Sequence, residues 1–378
     1  MRRLVFALTL TVTGRLAAQD VNRVDVHGFG TWMYSQTSNA NSYLSGRTDG
    51  DYGYVFAGLN INATVDRQIH IVVQPAWHID GTGQPTQIDL NLAFIEWQLS
   101  DAFRLRAGEV KNPFGLYTEV YDIGTVRPFL SLPQTVYGPQ GIVARAYKGV
   151  GLTGTKDLGA SWNVSYDAYF GEFDIPQEAA PLDFFTTTDA LGGVELLPTK
   201  TTVGGRVVMH TPVDGLSFGT TAYTGRLTSA STVDTVHRRR SIVAGQAEYL
   251  TDKWSARGEF VWGQGKLGEG PDMTVHSGYA EVAYHLTPHW QLAGLYEREQ
   301  VHMSGVNVSV APSLLRHEDF EPGVNYWISP NVVIKLSDHF VYGNRFSMPD
   351  PSLVRQVVAA GQLRSYTNDL QFGTQFSF

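Results

Sequence analysis

The sequence predicts an all-β protein, a transmembrane antiparallel β-barrel of about sixteen strands. Three observations predict it. Extended segments with period-two alternation recur along the whole chain, short turns alternate with long polar connections, and aromatic residues gather beside the short turns.

In order, the alternations place strands at about 24–35, 54–65, 69–79, 90–100, 103–108, 148–155, 160–171, 200–211, 216–225, 240–250, 254–263, 277–287, 290–301, 318–329, 332–343 and 366–378. In the second, Val55, Ala57, Leu59, Ile61, Ala63 and Val65 alternate with Phe56, Gly58, Asn60, Asn62 and Thr64. In the seventh, Trp162, Val164, Tyr166, Ala168 and Phe170 alternate with Asn163, Ser165, Asp167 and Tyr169. The last strand ends the chain as DLQFGTQFSF. Phe378, Phe376, Thr374, Phe372 and Leu370 share one face, and Ser377, Gln375, Gly373, Gln371 and Asp369 share the other. A terminus this aromatic needs an apolar medium against one side.

The turns VDRQ at 65–68, LSDA at 99–102, LTDK at 250–253, LTPH at 286–289 and ISPN at 328–331 are short. Between them fall long polar connections at about 36–53, 109–147, 172–199, 302–317 and 344–365. Strands of this length, tilted near ~45°, rise by about 25 Å, the height of an apolar band. Trp97, Phe103, Trp162, Phe218, Tyr249, Trp254, Tyr284, Trp290, Tyr326 and Phe378 lie beside short turns, as a girdle at one membrane interface requires. In hydrocarbon an open sheet edge is untenable, so the last strand must pair with the first, and about sixteen strands enclose an aqueous lumen. No internal boundary divides residues 19–378, which read as one domain.

The amino terminus, MRRLVFALTLTVTGRLAAQD, has two early arginines, an apolar run from Leu4 to Val12 and small residues at Ala17 and Ala18. It reads as a secretory signal over 1–18. The chain has no cysteine, which removes disulfides and thiolate metal or redox sites from consideration. Net charge is -8, and it becomes -11 when Arg2, Arg3 and Arg15 leave with the signal (28 basic minus 3, against 36 acidic). That balance argues against a nucleic-acid partner. After the signal no run approaches the length of a transmembrane helix.

The most informative stretch is 103–155, which contains the longest connection, about 39 residues in the third outer position. Its motif GEVKNPFGLY carries Gly108, Lys111, Pro113, Phe114 and Gly115, and is followed by RPFLSLPQTVYG and YKGVGL. With the hairpin rhythm and the terminal Phe, this stretch resembles the bacterial outer-membrane porin superfamily, nearest to the phosphate-selective-porin-like branch. The resemblance implies an outer-membrane location among lipid and lipopolysaccharide, a homotrimer, and a third loop folded into the lumen to narrow it. Lys111 is the one charged residue of the motif that the resemblance carries over. The dense arginine and lysine ladder of the phosphate-selective members is missing here.

The residues give a related picture on their own. With Phe103, Leu105 and Ala107 facing out, Arg104 and Arg106 face in, and the adjoining loop adds Lys111, Arg127, Arg145 and Lys148. Opposing them are Glu96, Glu109, Glu119 and Asp122. A constriction bearing both signs filters small polar solutes by size and charge, and the slight basic excess favours weak anion preference. The bland alternative is that these charges pair and merely pin the loop. Further lumen candidates are Arg206, Arg257, Lys335, Glu248, Glu259, Glu281 and Glu297.

The expectation is therefore a passive diffusion channel for small hydrophilic solutes or ions, with no enzyme activity and no cofactor. An alternative is a channel specific for a sugar or organic acid, with Tyr117, Tyr121, Phe129 and Tyr137 as a stacking track. An outer-membrane enzyme is the main rival from another class, and it would need a serine or comparable nucleophile brought beside a histidine with an orienting carboxylate or amide. An adhesin anchor would use Glu172, Asp174, Glu178, Asp183, Asp189 and Glu195, a set that more simply shields a pore mouth. Gly149, Gly151 and Gly154 form GVGLTG, but another strand follows where a dinucleotide site needs a helix. His70, His78, His285 and His289 form no HExxH, so no metal site is expected.

Overall fold

A computed structural model of the protein describes residues 23–38, 41–44, 49–79, 87–138, 143–159, 161–173, 199–227, 238–266, 272–304, 312–349, 356–357 and 360–378. The expected signal at 1–18 and most of the acidic connection 172–199 lie outside the described residues. The barrel strands are β1 (Arg23–Thr37), β2 (Asp51–Asp66), β3 (Ile69–Ile79), β4 (Gln87–Ser100), β5 (Phe103–Lys111), β6 (Ala146–Leu158), β7 (Trp162–Phe173) and β8 (Thr199–His210). They continue as β9 (Leu216–Leu227), β10 (Arg238–Leu250), β11 (Trp254–Lys266), β12 (Asp272–His285), β13 (Trp290–Ser304), β14 (Arg316–Ser329), β15 (Val332–Tyr342) and β16 (Tyr366–Ser377). Each pairs antiparallel with its chain neighbours, and β16 closes the barrel on β1. All sixteen expected strands are present.

Where bounds differ, the strands mostly run further at the ends that meet long connections. β12 begins at Asp272 rather than near 277, and β13 ends at Ser304 rather than near 301, with Asp272 and Ser304 paired. Backbone pairing continues there, while the apolar requirement on the outer side chains, and with it the alternation visible in sequence, has faded.

Closure is tight because the seam is built from glycine against phenylalanine. Thr31 pairs with Gln375 and Gly30 with Phe376, while Gly28 and Phe378 exchange backbone bonds of 2.9 and 2.8 Å. A Cβ on Gly28 or Gly30 would strike the ring of Phe378 or Phe376. Among the described residues the barrel itself has no edge strand to expose unpaired N–H and C=O groups, each of which would cost several kcal/mol in hydrocarbon.

Burial follows the alternation read from the sequence. On β16, Leu370, Phe372 and Phe376 are exposed, whereas Asp369, Gln371 and Gln375 are fully buried. The apolar side is therefore the outside of the cylinder and the polar side the inside, the reverse of a soluble barrel. Nine of the ten girdle aromatics are exposed and Tyr284 is half-buried. Several touch across strands, Trp254 with Tyr284 at 4.4 Å and Trp290 with Tyr326 at 4.9 Å between ring centroids. No described helix is long and apolar enough to cross a membrane; the crossing elements are strands.

Two further strands of two residues, Asn41–Ser42 and Met348–Pro349, pair with each other and tie the first and last long connections together. Asn41 reinforces the tie by donating to the Arg364 carbonyl at 2.8 Å and to Thr367 Oγ1 at 3.1 Å.

Candidate functional site

The connection between β5 and β6 is locally ordered by its own sequence. Asn112 opens it, with its N–H on the Arg145 carbonyl at 3.0 Å and its side-chain amide on the Ala144 carbonyl at 3.0 Å, which fixes entry against exit. Gly115 then turns the chain at φ +60°, and a Cβ there would strike both Glu259 Oε2 and Tyr137 Oη. The motif glycine is thus required twice, by backbone and by space. Single 3₁₀ turns follow at Thr118–Val120 and Gly124–Val126, then a one-turn helix α1 at Gln134–Tyr137. Phe114, Tyr117, Phe129, Leu132, Val136 and Tyr137 are buried in a cluster that also takes in Tyr169, Phe173, Tyr223 and Tyr279 from the wall strands.

The polar contacts of this connection reach around the inner face. Arg206 on β8 bonds Glu119 at 2.6 Å and the Gly115 carbonyl at 3.2 Å. Tyr117 donates to Glu281 on β12 at 2.5 Å, and Arg257 on β11 reaches the same hydroxyl at 3.2 Å. Tyr137 donates to Glu259 while its oxygen accepts from the backbone of Leu116 at 2.9 Å and Tyr117 at 3.1 Å. The backbone N–H and hydroxyl of Thr135 reach Glu297 on β13 at 2.9 and 3.0 Å. Asn325 on β14 donates to the Pro128 carbonyl at 2.8 Å. Lys335 on β15 donates to the carbonyls of Gly124, Arg127 and Phe129 at 2.9, 2.6 and 3.2 Å, and to Gln375 Oε1 at 2.5 Å.

Most of the predicted site residues meet here, but as pairs. Arg106 bonds Glu96 at 2.6 Å across β4 and β5. Lys111 bonds Asp122 at 2.5 Å, and Gln74 on β3 donates to the same carboxylate at 2.7 Å. Arg127 spends both terminal nitrogens on carbonyls of its own segment, those of Tyr121 at 2.9 Å and Leu130 at 2.8 Å. Arg145 lies over the Tyr121 ring with its guanidinium carbon 4.6 Å from the centroid. Arg104 alternates in phase with Arg106, and its Nε is buried without a hydrogen-bond partner.

Two predicted residues are placed elsewhere. Glu109 and Lys148 oppose each other in register between the buried pair Val110 and Tyr147 and the pair Gly108 and Gly149. They therefore share the outer face with exposed Val150. The alternation that sends Phe103, Leu105 and Ala107 outward carries Glu109 with them, so these two belong to the outer rim rather than the constriction.

Of the four rings expected as a stacking track, three are placed inside the segment, while Tyr121 is half-buried under Arg145. Tyr117, Phe129 and Tyr137 are 1–2% exposed, and the two tyrosine hydroxyls are committed to Glu281 and Glu259, so these rings are the core of the segment rather than a surface for solutes. Burial first and the neighbouring carboxylates Glu281 and Glu259 second push both phenols well above their ordinary range, so they stay neutral donors. Burial would raise the Asp122 carboxyl, but the Lys111 and Arg145 charges and the bonds from Lys111 and Gln74 outweigh it and hold it below its usual value. The glycines of GVGLTG lie within β6, where Gly151 leaves room for the Tyr147 hydroxyl and Gly154 for the Ala102 carbonyl.

What the sequence reading missed is a second polar group on β13–β15. His317, Asp319 and Glu321 recur at period two on β14, beside Glu297 and Glu299 on β13 and His339 on β15, all 0–1% exposed. The signal was present as the stretch HEDFE, but the strand was expected to start one residue after His317.

No family model matches the chain, and no curated protein matches it. Solved structures do. The trimer form of OmpT, an outer membrane protein of Vibrio cholerae, superposes with a TM-score of 0.59 at 10% identity, covering 95% of this chain and 100% of that one. The outer membrane channel DcaP of Acinetobacter baumannii gives 0.58 at 9% identity over 96% of this chain and 99% of its own. OmpF of Salmonella typhi, in complex with daunomycin, gives 0.57 at 11% identity over 95% and 98%. The chain has the fold of a bacterial outer-membrane β-barrel. At these identities the likeness lies in the barrel architecture, and the nearer affinity to phosphate-selective members has no counterpart among these structures.

Proposed function

We propose that the protein is a passive diffusion channel of the bacterial outer membrane for small hydrophilic solutes, assembled as a homotrimer among lipid and lipopolysaccharide, with no chemistry and no cofactor. The connection between β5 and β6 folds into the lumen in this reading and sets its narrowest zone. The single observation that carries the reading is Lys335, a wall residue that donates to three carbonyls of the connection from the inner face. A solute enters past the outer connections, passes between this segment and the walls, and leaves to the periplasm down its gradient. That DcaP is described as a channel and one OmpT form as a trimer fits the reading.

Anion preference in this reading is weak and rests on Arg104, because Arg106, Lys111 and Arg206 each sit on a carboxylate. The test is conductance of the mature chain in a planar bilayer. Discrete steps with a permeability ratio slightly favouring anions are expected. No steps at all would remove the channel reading, and block by a single solute at low concentration would replace general diffusion with a specific channel. Native mass measurement in detergent checks the trimer.

A further inference from the structure

We infer that the inner wall between β13 and β15 holds a binding site for one divalent first-row transition cation such as Zn²⁺, with Glu297, His317 and Asp319 as its ligands and Glu321 in reserve. This site is independent of solute passage.

The backbone register creates it. Glu297 stands directly opposite Asp319, and Glu299 directly opposite His317. Two carboxylates at opposed positions of neighbouring strands repel one another, and a sheet tolerates this poorly unless something cationic lies between them. Here Glu297, His317 and Asp319 each offer a ligand atom, and these atoms all lie within 4.8 Å of one another. His317 Nε2 is 3.5 Å from Glu297 Oε1. Ligand atoms about 2.0–2.2 Å from a tetrahedral metal stand roughly 3.4 Å apart, so the separation already fits with little rearrangement.

Unpartnered atoms inside the cluster mark it as more than an acidic patch. Asp319 Oδ1 and both oxygens of Glu321 are buried with no hydrogen-bond donor, in side chains 0–1% exposed. Glu321 Oε1 is 3.2 Å from His339 Nε2, and His339 Nδ1 is 2.6 Å from Asp319 Oδ2. The remaining lone pairs are ordered as a metal's outer shell requires. Thr135 holds Glu297 Oε2. The Tyr43 hydroxyl stands among the ligand atoms themselves, 3.2 Å from Asp319 Oδ2 and 3.5 Å from both Glu297 Oε1 and His317 Nε2, so an entering cation takes it as a fourth ligand or turns it aside. Arg345 is already committed to Glu299 at 2.7 Å.

The donor set selects the cation. One imidazole with two carboxylates and no thiolate suits Zn²⁺ and its neighbours, whereas Ca²⁺ and Mg²⁺ prefer oxygen alone. The site went unseen in sequence because its ligands come from two strands about twenty residues apart and match no contiguous metal motif.

Equilibrium dialysis of the mature full chain in detergent micelles against Zn²⁺, with total metal quantified, tests the inference. One Zn²⁺ per chain is expected, undisplaced by excess Ca²⁺. His317→Gln and Glu297→Gln should each weaken it tenfold or more, while His289→Asn, at an exposed turn histidine, leaves it unchanged. Absence of Zn²⁺ from the parent chain, or retention at full affinity in both ligand variants, overturns the inference. Should the variants fail to fold, Co²⁺ added to the parent chain decides: visible bands of a low-symmetry nitrogen and oxygen site support it, and the spectrum of hexaaqua Co²⁺ refutes it. None of these readouts depends on conductance.

Discussion

Two sectors of the inner wall carry charge in different ways. On β5 and β8 two guanidinium groups are matched by nearby carboxylates, Arg106 by Glu96 at 2.6 Å and Arg206 by Asp167 at 3.0 Å and Glu119 at 2.6 Å. Water still reaches the first pair, whose side chains are 25% and 12% exposed. Along β13–β15, Glu297, Glu299, Asp319 and Glu321 are sealed at 0–1% exposure, and among the described residues Arg345 is the guanidinium that bonds into them. Matched, partly wet pairs contribute little net energy and mostly fix geometry. A sealed surplus of one sign has to be neutralised by protons or by a cation. In the first sector the charges are spent on one another and on the connection after β5, whereas the second keeps a sealed excess of carboxylates.

The largest effect that separates the sectors should come from Arg345→Met. It leaves Glu299 buried without its partner, and breaking a sealed pair in this way costs about 3–5 kcal/mol. The expected outcome is a correspondingly lower unfolding midpoint in denaturant. A parent-like midpoint in Arg345→Met would mean that the two sectors do not differ in kind.

Lys335→Met comes next. It strips donors from the carbonyls of Gly124, Arg127 and Phe129 at once, and whichever of them then finds no water costs about 1–3 kcal/mol. The segment between β5 and β6 should detach from β15, so single-channel conductance should rise and become noisier. Unchanged conductance with an intact barrel would show that this attachment does not set the narrowest zone.

How much of this was legible in the sequence follows from what generates each feature. The strands were readable because hydrocarbon on one side and water on the other impose period two directly on residue order. The inward side of Arg106 follows from that parity, whereas the contact of Lys111 with Asp122 depends on how the connection after β5 folds back, which parity does not give. Glu109 and Lys148 were misplaced although parity alone assigns them outward; being charged was allowed to outweigh it. Tyr117 and Tyr137 looked like a track because abundance in a loop is visible and burial is not. The Glu297, His317 and Asp319 group was illegible for a different reason. It depends on the register of β13 against β14, which a one-residue slip would destroy and which no local pattern specifies.

A smaller effect should appear with pH, at the edge of the matched sector. The carboxyl of Asp122 is held below its usual value, so its attachment to Lys111 contributes in full above about pH 4, the ordinary range for the unfolded chain. The contribution is lost as pH falls through the depressed folded value. Thermal stability in detergent should therefore decline on acidification below that range, and Asp122→Asn should flatten this limb at the cost of lower stability at neutral pH. An acid limb identical in parent and variant would show that Asp122 does not hold the loop.

The smallest expected change is the most selective. Arg104 and Arg106 alternate onto the inner face, Lys148 onto the outer one, and all three are single positive charges within the same pair of neighbouring strands, β5 and β6. Removing either kind changes net charge equally per residue, so only position can distinguish their effects on ions passing through the barrel. Arg104→Gln should shift the reversal potential slightly toward cations, since its charge is not matched as that of Arg106 is by Glu96. Adding Arg106→Gln should contribute less than the first substitution, because neutralising a paired arginine also frees its carboxylate to recruit a counter-ion or a proton. Lys148→Gln should leave the potential unchanged, its field being taken up by Glu109 opposite and by solvent and headgroups outside. A shift from Lys148→Gln equal to that from Arg104→Gln would mean that the preference arises from the overall charge at the rim, and the inner basic wall would lose its part in selectivity.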